Sequence, residues 1–201
     1  MRDYLIYGLL LFIVLILSCF EPLSSHWLMY DRELIESGQV WRLFSAHFVH
    51  LSTTHMLGNA MGVVLFGYIS GKYLNNLLGL MLVIWCVCVV GLGLYGYAGY
   101  LQRYVGLSGV LHGLLLVAPF VSQYYSTRIA SIFLVIVLVK VIWEQTPFYD
   151  DMALVGAIGG RVEANAHLLG VIAGLVFLSG YFIVCYMTKA QRMREELEIE
   201  K

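Results

Sequence analysis

Charge is what this chain has least of. Charged side chains make up 12% of its 201 residues, against about 25% in an ordinary soluble domain. With 60% hydrophobic residues and a mean hydropathy of +0.81, that scarcity excludes a water-soluble globule. A net charge of −1 leaves no electrostatic case for binding nucleic acid. Cysteine is confined to Cys19, Cys86, Cys88 and Cys185, all inside apolar runs and none in a CxxC pair. That placement argues against a disulfide framework or a zinc site, and for small buried hydrophobes. No metal and no soluble cofactor is implied.

What remains reads as an all-α membrane protein. A spanning helix needs about 20 apolar residues, and candidate segments lie at about 4–20, 55–71, 77–99, 108–123, 128–143 and 165–188. The expectation is a six-transmembrane-helix bundle over residues 1–190, with a short charged cytoplasmic tail at 191–201. No A-x-A site follows the first run, and "ILSC" at 16–19 only faintly resembles a lipoprotein box, so 4–20 reads as an uncleaved helix. With the N-terminus inside, the inner connections carry Arg2, Lys72, Arg128, Lys189, Arg192, Arg194 and Lys201. The outer ones carry Arg32, Arg42, Arg103 and Arg161 among acids. The basic excess puts both termini inside and the loops 21–54 and 144–164 outside.

Polar residues then stand out at three places. Segment 108–123 is short, about 24 Å against a hydrocarbon core of about 30 Å, so Ser108 at its start falls at membrane depth. A helix N-terminus there presents free N–H groups suited to a developing oxyanion. His167 begins segment 165–188, with Gly170 and Gly174 on its face at i+3 and i+7. Gly109 and Gly113 form a matching face behind Ser108, so close packing of the two helices brings serine to imidazole. On segment 55–71, His55 and Asn59 are i, i+4 and offer hydrogen-bond donors at the same level. Each feature alone has a structural alternative: an N-cap, a lone core histidine, a polar clasp between helices. Three of them at one level point to a hydrolase site. Trp41, Phe44, His47, Phe48 and His50 read as an interfacial segment, with His50 a strut for its loop. His47, His50 and His55 lack a carboxylate or thiol at metal-ligand spacing. Lys140 and Glu144 read as an interfacial i, i+4 ion pair or, with Gln145, as the lining of a substrate entrance.

Trp41-Arg42, His55-x-x-x-Asn59, Gly106-x-Ser108 and Ala166-His167-x-x-Gly170 together resemble the rhomboid family of intramembrane serine proteases, in the family's order and across nearly the whole chain. The resemblance implies a Ser108–His167 dyad open to the outside, with no third acidic member. It further implies an oxyanion hole of His55, Asn59 and the Ser108 amide. Many rhomboids stack a tyrosine on the imidazole from four residues after the serine. His112 stands there, a candidate for orienting His167. The form "GLSGVLHG", the length and "KVIWEQ" at 140–145 look like the rhombosortase branch. That branch implies the inner membrane of bacteria, a site facing the periplasm, and membrane-anchored substrates ending in Gly-Gly, an apolar helix and a basic tail. The rival readings are a rhomboid protease of other single-span substrates, a non-catalytic helix-binding relative, and a transporter. The intact Ser108 and His167 oppose the second. The lack of an inverted repeat opposes the third.

Overall fold

The computed structural model describes residues 4–199, so Arg2 and Lys201 lie outside the described residues. Ten α-helices follow in chain order: α1 (Leu5–Ser18), α2 (Leu23–Leu28), α3 (Arg32–Glu36), α4 (Arg42–Ser45), α5 (Thr53–Ser70), α6 (Asn76–Tyr97), α7 (Ser108–Val121), α8 (Thr127–Glu144), α9 (Val155–Ile158) and α10 (Ala164–Ile199). Each apolar segment of the sequence is one of the long helices α1, α5, α6, α7, α8 and α10. The starts of α5, α6 and α8 are fixed by local chemistry. Ser52 Oγ accepts from the His55 N–H, Asn75 Oδ1 from Leu78 and Ser126 Oγ from Ile129, satisfying donors that a first helical turn leaves open. By length and composition, α6 and Ala164–Glu196 of α10 are long and apolar enough to cross a membrane, while α1 and α7 are shorter apolar helices. The charged residues from 191 to 199 continue α10 rather than leaving it.

α7 is the hub. It packs on α5, α6, α8 and α10, and Val110, Leu114, Leu116, Val117 and Ala118 are fully buried. The closest approach is to α10, and glycine makes it possible. A methyl group on Gly113 would lie 2.6 Å from the Gly170 carbonyl oxygen, and one on Gly174 would lie 2.9 Å from that of Gly113. One on Gly109 would lie 2.8 Å from the Ala166 oxygen, and one on Gly170 would collide with the Gly109 carbonyl. Around this core the outward faces stay apolar, with Leu57, Met61 and Val64 on α5 and Ile132, Ile136 and Val139 on α8 exposed. A continuous apolar exterior of this kind is a surface for lipid.

The long connection between α1 and α5 is tied down by arginines and a two-stranded ribbon. β1 (Tyr30–Asp31) pairs antiparallel with β2 (Arg103–Tyr104), Tyr30 opposite Tyr104. Arg42 is 3% exposed and donates to the His26 and Met29 carbonyls and to Gln39 Oε1. Arg32 donates to the Tyr95 and Ala98 carbonyls at 3.0 Å, capping the end of α6, where carbonyls otherwise lack partners. This anchored connection covers the irregular backbone that leads into α7.

Candidate active site

Gly106 turns the chain into α7 at φ +114°, and its N–H donates to the Ala46 carbonyl. A side chain at 106 would be strained at this φ and would also strike the His55 ring at 2.7 Å. The turn places Ser108 at the first position of α7. Leu107, not Ser108, holds the N-cap position, so the Ser108 hydroxyl is free of capping and faces α10. Its Oγ lies 3.0 Å from His167 Nε2.

The far side of the imidazole is filled. His167 Nδ1 lies 2.8 Å from Glu144 Oε2. The second oxygen of Glu144 receives the Lys140 ammonium at 2.7 Å. Lys140 Nζ is also 2.7 Å from His112 Nε2, while His112 Nδ1 is 2.7 Å from the Ser108 carbonyl oxygen. The rings of His112 and His167 stack with centroids 4.1 Å apart and planes 26° apart. Acceptors dictate the protons. A carbonyl cannot donate, so His112 carries its hydrogen on Nδ1 and accepts from Lys140 at Nε2. A carboxylate cannot donate, so His167 carries its hydrogen on Nδ1 and turns the lone pair of Nε2 toward Ser108. The 3.3 Å from Lys140 Nζ to His167 Nδ1 is then a contact between two donors that share one carboxylate.

Ser108 and His167 border a cavity of about 340 Å³, with His55, Leu51, Val105, Leu154, Arg161 and Glu163 among its walls. Asn59 is 5% exposed. Its Nδ2 has no partner among the described residues and lies beside Gly106, 3.6 Å from where a Cβ would stand there. The Ser108 N–H belongs to the first turn of α7, where no acceptor exists within the helix. His50 meets His55 edge to face at 5.0 Å. In the connection before α5, burial pushes His47 down to about 4 and His50, which His55 also opposes, to about 3. Both are neutral props of that loop.

The segment from residue 37 to 184 matches the rhomboid domain. This chain belongs to the rhomboid family. It is also similar to the rhomboid protease GlpG of Yersinia enterocolitica serotype O:8 / biotype 1B, at 28% identity over 153 residues, 75% of this chain and 51% of that protein. The chain thus spans about half the length of that curated relative. Rhomboids are membrane proteins, which accounts for the apolar exterior.

Glu144 and Gln145 do not border the cavity at Ser108. They edge an adjoining hollow of about 280 Å³ that shares Arg161, Val162 and Glu163 with that cavity, and Gln145 Nε2 donates to the Ala164 carbonyl, tying α8 to α10. The resemblance implies no acidic member, yet an acidic side chain stands against His167: Glu144 is 6% exposed and bonded to its Nδ1. Sequence reasoning paired Glu144 with Lys140 correctly along the helix but could not see which face α8 turns toward α10. The available signal was an ionisable pair inside an apolar span, a functional marker in its own right. Among the described residues, the metal-binding types that converge are His112, Glu144 and His167, and the Lys140 ammonium already bonds to the first two.

Proposed function

We propose that this rhomboid is an intramembrane serine endopeptidase that cleaves transmembrane-anchored proteins. The observation that carries the reading is the 3.0 Å contact of Ser108 Oγ with a His167 Nε2 whose tautomer is set for accepting a proton. In the proposed reaction Ser108 Oγ bonds to the scissile carbonyl carbon as His167 Nε2 takes the hydroxyl proton. The oxyanion receives hydrogen bonds from the Ser108 N–H, Asn59 and His55. The C–N bond then breaks and the leaving amine takes the proton from His167. Water from the cavity then bonds to the acyl carbon as His167 Nε2 takes its proton, and that proton passes to Ser108 Oγ as the C–Oγ bond breaks, releasing the carboxylic acid.

The six long helices fit a six-crossing chain, and the basic excess on the inner connections supports both termini cytoplasmic and the cavity facing the periplasm of a bacterial inner membrane. The substrate reading is narrower: proteins ending in Gly-Gly, an apolar helix and a basic tail. It rests on His112 in the stacking position and on "KVIWEQ", the features shared with the rhombosortase branch.

The test is co-expression with a single-span reporter carrying that tail, reading the reporter's new C-terminus by intact mass. Cleavage near the glycines by the unaltered chain, lost in Ser108→Ala and in His167→Ala at equal membrane abundance, is the expected outcome. Cleavage that survives either substitution overturns the dyad. A generic rhomboid substrate, run beside the reporter and cleaved in its place, keeps the protease and rejects the Gly-Gly class.

A further inference from the structure

Glu144 has no part in a two-residue mechanism, yet its carboxylate is buried against the one imidazole that reacts. We infer that Glu144 is the third member of a Ser108–His167–Glu144 triad, a positioning residue held in place by Lys140 and His112. The inference rests on the serine-protease reading above and deepens it.

Hydrogen-bond direction makes the case. Beginning at Ser108, the hydroxyl donates to His167 Nε2 and His167 Nδ1 donates to Glu144 Oε2. Lys140 donates to Glu144 Oε1 and to His112 Nε2, and His112 Nδ1 donates back to the Ser108 carbonyl. The circuit closes on the residue where it began, and every donor in it meets an acceptor. A buried carboxylate alone carries a large desolvation cost. Lys140, one turn earlier on α8 and 44% exposed along its side chain, offsets that cost through one oxygen and leaves the other for His167. A purely structural ion pair needs neither the second oxygen nor a place beside the imidazole. The ring stack of His112 holds the plane of His167, and Glu144 fixes its tautomer.

Proton transfer from Ser108 turns His167 into an imidazolium. The carboxylate at 2.8 Å favours that charge and the ammonium at 3.3 Å opposes it. Glu163 and Arg161 just before α10, His55 on α5, and Arg103 and Tyr104 of β2 complete the charged and titratable groups that line this cavity. Removing the carboxylate and removing the ammonium must therefore shift the titration of His167 in opposite directions. A structural role predicts loss of protein with no such pair of shifts.

The experiment measures kcat, KM and the pH dependence of kcat/KM for reporter cleavage in the full chain, in detergent and in vesicles. The variants are Glu144→Gln, Glu144→Asp and Lys140→Met, with Ser108→Ala as the blank. In serine proteases the equivalent carboxylate-to-amide change lowers kcat by about 10⁴ with geometry intact. Here Glu144→Gln is expected to lower kcat at least about 100-fold with KM changed less than about threefold. Its acid limb moves to lower pH, because the imidazolium has lost its anion. Glu144→Asp restores part of the rate. Lys140→Met moves the acid limb to higher pH, and this opposite sign carries the test if Glu144→Gln does not accumulate in the membrane. An unchanged rate and profile in Glu144→Gln, or acid limbs that do not part in Lys140→Met, overturns the triad and leaves the dyad standing. Cleavage that persists in Ser108→Ala overturns the protease reading itself.

Discussion

At Ser108 the deciding fact is where the hydroxyl points. A serine at the first position of a helix ordinarily serves the backbone, but here the N-cap is Leu107 and the hydroxyl serves an imidazole. Asn59 carries the complementary argument, since a buried amide nitrogen without a partner is costly unless something arrives to accept from it. If that acceptor is the oxyanion, Asn59→Ala lowers kcat by about 10²–10³ with little change in KM or in melting temperature. A loss confined to stability would return Asn59 to a clasp between helices. Ser108, His167, His55 and Asn59 were legible in the sequence because each breaks an apolar helix face at a readable spacing. Glu144 was only half legible. Its i, i+4 partner lies on its own helix, whereas its bond to His167 depends on the rotation of α8, which an almost uniformly apolar helix does not encode.

Among the elements, α7 and α10 form the pair on which the site depends. Gly109, Gly113, Gly170 and Gly174 bring backbone against backbone, so the Ser108–His167 distance is set by glycines rather than by the two residues themselves. Gly170→Ala inserts a methyl group into the Gly109 carbonyl and must push the helices apart. Overpacking of this kind costs about 1–3 kcal/mol, and the parted helices lower cleavage at least tenfold. Gly58→Ala on α5, where nothing lies within 4 Å, is expected to leave activity unchanged and serves as the control. Equal activity in the two variants, measured on the same reporter, would detach the zipper from the chemistry. The long helices were readable because an apolar run bounded by Ser, Asn or Gly specifies a helix on its own. The short helices before α5 and the two-residue ribbon were not, since their order comes from Arg32 and Arg42 reaching distant carbonyls.

For the whole molecule, the proposed orientation has a direct check. A membrane-impermeant thiol reagent applied to intact cells is expected to label a cysteine placed at Ala157 on α9 and to miss one placed at Ser126 before α8. The reverse pattern inverts the bundle. The fold also distributes its firmness unevenly. Along α8, Ala130, Val141 and Glu144 are the buried residues, and the helix rests on α7 and α10. The loosest long helix thus carries both the carboxylate and the ammonium behind His167. Any motion that lifts α8 from its neighbours withdraws the two charges in one stroke and releases the His167 tautomer. In the proposed mechanism the base is therefore wired through an interlock: His167 is armed while α8 is seated, and a helix displaced sideways disarms the very group it would expose.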